Sequence, residues 1–204
     1  MPDAEPSTTS WKASKRFDEA VQFAIEVHRD DTRKGSGVAY VAHLFGVCSL
    51  VLEERGSEDQ AIAALLHDAA EDHGGREMLD EIEGRFGREV MAIVEACSDT
   101  LEESKPAWHP RKEEYLRRLA EESEPALLVS LADKLYNARA IARDYRSVGD
   151  RLWERFSRGR DDQLWYYGSL REIFRRQKPS ARMTHEFADV VDELDRLSAK
   201  SEKE

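Results

Sequence analysis

Leu65-Leu66-His67-Asp68-Ala69-Ala70-Glu71-Asp72 is the stretch from which the chain is best read. Wound as a helix at 100° per residue, His67, Asp68, Glu71 and Asp72 fall within one arc of about 140°, with Ile62, Leu66 and Ala69 opposite. The polar groups then share one site while the other side enters a core. A solvated acidic face at a helix end is the plainer alternative. It is disfavoured because carboxylates at a helix C-terminus oppose the macrodipole and repel one another unless a cation offsets them.

Working outward, Ser57 with Gln60 three residues on forms a capping-box pattern, so this helix is expected from Ala61 to about Glu71, stopped by Gly74-Gly75. Upstream, Phe17, Val21, Ala24, Ile25 and His28 recur at helical spacing. The two glycines of Arg33 to Gly37 (RKGSG) mark a loop before a second helix through Leu44, Val47, Cys48 and Val51. Downstream come short helices through Leu79, Ile82 and Phe86 and through Val90, Ile93, Val94 and Cys97, then a loop from Asp99 to Pro110. A charged helix from about Arg111 to Glu122 precedes Pro125, which opens a strongly apolar and therefore central helix from Ala126 to about Tyr145. An aromatic segment at Leu152 to Phe156, a helix around Trp165 to Arg175 and an amphipathic helix through Phe187, Val190, Val191, Leu194 and Leu197 complete the pattern. No alternating strand of useful length is present. The expected fold is an all-α bundle of about eight to ten helices with no substantial sheet. Residues 1–14 are expected to be a flexible N-terminal arm, 15–197 a single domain and 198–204 a charged tail.

Composition narrows the function. Forty-two acidic against 31 basic side chains in 204 residues give a net charge of −11, which argues against broad nucleic-acid binding, because counterion release needs a basic face. No run approaches the roughly 18 apolar residues of a membrane span, and the N-terminus lacks the basic-then-apolar pattern of a signal peptide, so a cytoplasmic protein is expected. Cys48 and Cys97 sit among helical apolar neighbours and read as free core thiols. A metal beside His67 and Asp68 needs further ligands, and His43 and Asp133 are the best placed. Asp133 follows Ala126-Leu127-Leu128-Val129-Ser130-Leu131-Ala132, where a carboxylate is rarely tolerated without a partner, and Asn137 lies one turn later on the same face.

Taken jointly, Tyr40-x-x-His43, His67-Asp68-x-x-Glu71-Asp72 and Leu131-Ala132-Asp133-Lys134-Leu135-x-Asn137-x-Arg139 resemble the HD phosphohydrolase superfamily. With the lead-in His28-x-x-x-x-Arg33-Lys34, they look most like the hydrolase domain of RelA/SpoT homologues and the stand-alone small alarmone hydrolases, over roughly residues 17 to 175. Two departures are visible: Ala39 stands where the family usually has proline, and Ser98 where it often has threonine.

The resemblance implies one Mn²⁺ held by His43, His67, Asp68 and Asp133, with Glu71 and Asp72 orienting and deprotonating the attacking water. It implies guanosine tetra- or pentaphosphate as substrate, cleaved at the 3′ position to pyrophosphate and GDP or GTP, with the adenosine analogues as a variant. Arg33 is then expected against the base, Lys34 near phosphate, Asn137 near the ribose, and Tyr166 at the nucleotide. Lys134 and Arg139 either bind phosphate or brace the Asp133 helix. Lys105, Arg111 and Lys112 read as a solvated charged face, with a pyrophosphate clamp as the functional alternative. His73, His109 and His185 match nothing in the family pattern and read as structural histidines. A more general nucleotide or NADPH phosphatase, and a non-catalytic alarmone-binding or toxin-neutralising protein, are the competing readings. The expected partner is the nucleotide substrate, with no nucleic acid and no membrane, and a homo-oligomer is compatible with the sequence.

Overall fold

Ser14 opens the first helix: its hydroxyl accepts from the backbone N–H groups of Arg16 and Phe17 at 3.0 and 3.3 Å, donors that a first helical turn otherwise leaves unpaired. In this computed structural model the chain forms α1 (Lys15–Val27), α2 (Val41–Glu53), α3 (Glu58–Leu66), α4 (Ala69–Asp72), α5 (Gly75–Phe86), α6 (Arg88–Cys97) and α7 (Trp108–Leu119). After them come α8 (Glu124–Val148), a 3-10 helix (Gly149–Arg155), α9 (Arg160–Gln177) and α10 (Ala181–Ser201). Residues 12–33, 35–102 and 104–201 are described. Residues 1–11 of the expected arm, Lys34, and residues 202–204 of the expected tail lie outside the described residues. Among the described residues the only extended pairing is an isolated bridge between Thr32 and Ala39, so the fold is all-α as expected. No described helix is long and apolar enough to cross a membrane.

α8 is the axis of the molecule. Ala126 to Asp133 are buried without interruption, and a helix that is apolar all round must be surrounded. α2, α3, α6, α9, α10 and the 3-10 helix all pack on it. α3 is likewise buried from Ala61 to Leu66, and it begins at the Ser57–Gln60 capping box, both halves of which form. The two buried helices bring their polar residues together, which is how the site arises.

Several boundaries differ from the sequence reading. The helix expected to run to Glu71 pauses at His67 and Asp68, which form a turn between α3 and α4. The cause is local: His67 Nδ1 lies 2.9 Å from the Ala64 carbonyl, so the side chain takes up an acceptor of the last turn. His67 and Asp68 keep right-handed backbone angles, and the direction of travel is retained. α7 starts at Trp108 inside the expected loop, and α9 starts at Arg160, where Asp161 and Asp162 favour the first turn. α10 continues past Leu197 to Ser201 with Ser198 buried.

Candidate metal centre and substrate cavity

His43 lies in the first turn of α2, His67 and Asp68 in the turn between α3 and α4, and Asp133 in the middle of α8. Their donor atoms converge. His43 Nε2 is 3.1 Å from His67 Nε2, 3.4 Å from Asp68 Oδ2 and 3.3 Å from Asp133 Oδ1. His67 Nε2 is 2.9 Å from Asp68 Oδ2 and 3.6 Å from Asp133 Oδ1. Donors about 2.1 Å from a common ion stand roughly 3.0–3.4 Å apart, so this set fits a divalent cation with little adjustment. The donor set of two imidazoles and two carboxylates also suits one chemically. The Nδ1 contact of His67 to Ala64 aims Nε2 inward, as a ligating histidine requires.

The surrounding charges hold the carboxylates ionised. Burial opposes a charge on Asp133, but Lys134 beside it, at 2.6 Å from Oδ2, together with His43 and His67 keeps the carboxyl well below its ordinary range. Asn137 Nδ2 donates to Oδ1 at 2.6 Å. On the other side Tyr40 donates its phenol to Asp68 Oδ2 at 2.6 Å. Burial, then the charge of Asp68, pushes that phenol above its ordinary value, so Tyr40 remains a donor.

The centre opens on a cavity of about 880 Å³, lined among others by Asp68, Glu71, Asp72, Arg33, Asn137 and Lys105. Glu71 is fixed at both oxygens: Oε2 accepts from the Asp99 backbone N–H at 2.8 Å and Oε1 from Lys105 Nζ at 3.0 Å. Asp72 is 3.6 Å from the same ammonium. Burial disfavours that charge, yet Glu71 raises the Lys105 pKa above its usual value.

The reading of Arg111 and Lys112 as a solvated face is corrected, while the Lys105 side chain stays 42% exposed. All three line the cavity, and the Arg111 and Lys112 side chains are only 15% exposed. Asp99 holds them, accepting from Arg111 at 2.7 Å and from Lys112.

Of the expected substrate contacts, Arg33 and Asn137 line the cavity and bond each other. Lys34 lies outside the described residues. Lys134 is turned to Asp133, with its ammonium 2.6 Å from Oδ2, so it braces that carboxylate. Arg139 is drawn away to Glu186 of α10, so it braces the helix pair. Tyr166 is corrected too: its ring is buried beneath Lys112, whose ammonium is 4.5 Å from the ring centre, and Tyr167 and Gln163 meet the cavity instead. Spacing along α9 could not separate adjacent rings on one buried face. Tyr136 was missed; it lines the cavity with the Arg33 guanidinium 5.7 Å above its ring.

The HD domain family matches residues 20–163. Guanosine-3′,5′-bis(diphosphate) 3′-pyrophosphohydrolase MESH1 of Mus musculus is 39% identical over 128 residues, which is 61% of this chain and 69% of that protein. The Drosophila melanogaster protein of the same name is 33% identical over 131 residues, 63% of this chain and 70% of its own length. A solved structure of a metazoan ortholog of SpoT, described as hydrolysing ppGpp and acting in starvation responses, shares the fold with a TM-score of 0.73. That match covers 89% of this chain and 96% of the other at 24% identity. With the HD-domain match running over residues 20–163, well over half of its length, the chain belongs to the HD-domain family.

Proposed function

We propose that this protein hydrolyses guanosine 3′,5′-bis(diphosphate) and its pentaphosphate analogue at the 3′ position, releasing pyrophosphate with GDP or GTP. The ion we assign to His43, His67, Asp68 and Asp133 is Mn²⁺. One observation carries the reading: the cavity that meets the ligand set at Asp68 is also lined by two acidic side chains, Glu71 and Asp72, and by the cations Lys105, Arg111 and Lys112. Hydrolysis of a phosphate ester can draw on each of these: a metal, carboxylates for the attacking water and cations for the leaving group. The MESH1 relatives, named for this reaction, support the substrate class.

When bound, Mn²⁺ supplies positive charge at a phosphate oxygen and makes water more acidic. The protein does the rest. Glu71, immobilised by Asp99 and Lys105, orients the attacking water, and Asp72, open to the cavity, accepts its proton. Lys105 and Arg111 offset charge on the departing pyrophosphate. Arg33 lies against the base and Asn137 near the ribose. Stacking by a guanidinium tolerates either purine, so the adenosine analogues are a variant of the same proposal.

The deciding experiment incubates the Mn²⁺-loaded protein with ppGpp, pppGpp, ppApp, pppApp, NADPH and simple nucleotides, then quantifies products. Pyrophosphate equimolar with GDP is expected from ppGpp. Orthophosphate alone, or turnover confined to NADPH and simple nucleotides, overturns the proposal.

A further inference from the structure

A second group of donors lies at the cavity wall, outside the set described above. His28 ends α1, Asp31 follows three residues later, and His73 ends α4 directly after Asp72. His28 Nδ1 is 2.8 Å and His73 Nε2 is 2.6 Å from one and the same atom, Asp31 Oδ2. Two imidazoles from distant parts of the chain thus meet on one carboxylate oxygen. The rings are fixed: Tyr40 stacks on His28 with centroids 5.1 Å apart, and His73 meets His28 edge-on at 4.9 Å. His28 is buried and its Nε2 has no partner.

We propose that His28, Asp31 and His73 form a second metal site, selective for a borderline divalent transition ion of the zinc and cobalt class.

Two imidazole nitrogens and one carboxylate oxygen are the ligands such ions prefer. The same N-rich set ranks Mn²⁺ low and serves Mg²⁺ or Ca²⁺ poorly. Around an ion with ligands at about 2.1 Å, donor separations widen to roughly 3.0–3.4 Å. The required movement from the observed 2.6 and 2.8 Å is roughly 0.2–0.8 Å. Asp31 and His73 can supply it, since their side chains are 36% and 35% exposed. That exposure also leaves coordination positions for water, because Asp31 and His73 both line the cavity. Burial lowers the His28 pKa, which leaves the imidazole neutral and its lone pair free for a metal.

The placement gives the site a consequence. Asp31 belongs to the segment that carries Arg33, held by backbone bonds from Tyr40 N–H to the Asp31 carbonyl at 2.9 Å and from Arg33 N–H to the Val38 carbonyl at 2.8 Å. His73 closes the helix that carries Glu71 and Asp72. An ion between them clips the Arg33 segment to the acidic turn. The Tyr40 ring packs against both His28 and His43, so one aromatic side chain separates the two sets of donors.

The test uses Co²⁺ alone, by equilibrium dialysis with elemental quantification and visible absorption, on the wild-type protein, His73→Ala, Asp31→Asn and Asp133→Ala. The expected result is one equivalent of Co²⁺, with its own d–d band, that His73→Ala and Asp31→Asn both lose and Asp133→Ala keeps. Zn²⁺ should displace it and millimolar Mg²⁺ should not. Circular dichroism should be unchanged in His73→Ala and Asp31→Asn, where partly exposed side chains are altered. If either variant keeps every equivalent, or loses only the one that Asp133→Ala also loses, the site does not exist. Because Asp133→Ala reports on the other centre, failure there and failure here are read separately.

Discussion

Arg33 Nη2 donates to Asn137 Oδ1 at 2.7 Å across 104 residues of sequence, while the other end of that amide donates to Asp133 Oδ1 at 2.6 Å. One side chain therefore spans the loop expected to meet the base and the carboxylate expected to hold the metal. Replacing it should disturb both. Asn137→Ala is expected to raise KM for ppGpp about tenfold and to weaken metal retention on a similar scale, the usual cost of removing a group that orients a ligand. Steady-state kinetics with metal titration would check this. A normal KM together with normal metal affinity would show that the amide couples nothing.

Gly46 lies where α2 crosses Tyr136 of α8, and a Cβ there would overlap the Tyr136 ring. Alanine is the better helix former by about 1 kcal/mol, which by itself would stabilise α2. The clash opposes this and should win, because crowding a packed contact costs about 1–3 kcal/mol and Tyr136 is also anchored through its hydroxyl to the Ala42 carbonyl at 3.2 Å. Gly46→Ala should lower the thermal midpoint by several degrees and displace the ring beneath Arg33, raising KM. A more stable variant with unchanged KM would contradict the packing described here.

These relationships also show where sequence stops being informative. His67, Asp68, Glu71 and Asp72 were legible as one polar face because few residue types bind a metal or activate water and the four are close in the chain. Asp133 was legible because a carboxylate in a buried helix needs a partner. The Ser57–Gln60 cap announced α3 by a local pattern that also appears in the structure. Arg139 was opaque, since its partner Glu186 is 47 residues away on a helix whose orientation no local pattern sets. Arg111 and Lys112 were opaque for a related reason. Only the folding of the Asp99 loop against Glu71 turns them inward, and on a linear reading they look like any charged helix start. The pause at His67 depends on a side-chain bond to Ala64 that competes with a backbone one, a balance helical periodicity cannot express.

The two thiols give a prediction about pH. Burial pushes Cys48 up to about 12 and Cys97 up to about 11 from an ordinary 9.0. In the unfolded chain both ionise near the ordinary value, so between there and the raised values the folded state binds more protons. Stability is then fully present below about pH 9 and is lost as pH rises through the folded values. Iodoacetamide at pH 8.5 should leave both cysteines unlabelled in the native protein and modify both in denaturant, because the thiolate is the nucleophile. Rapid native labelling of either would show that its burial is wrong.

Glu71 separates water activation from metal binding. Its oxygens are engaged by the Asp99 N–H and by Lys105, and no bond ties it to His43, His67, Asp68 or Asp133 among the described contacts. Glu71→Gln keeps the shape and retains an acceptor for the Asp99 N–H, but removes the negative charge that orients water and restrains Lys105. Turnover should fall by about a hundredfold or more, the usual scale for a positioned base or its partner. Metal content should stay at the wild-type value. KM should not rise, because Lys105, released from its ion pair, is free to bind the pyrophosphate group more strongly. Single-turnover assays beside elemental analysis would check all of this. Loss of metal in Glu71→Gln would instead make the residue a ligand, and near-normal turnover would move the activation of water to Asp72 alone.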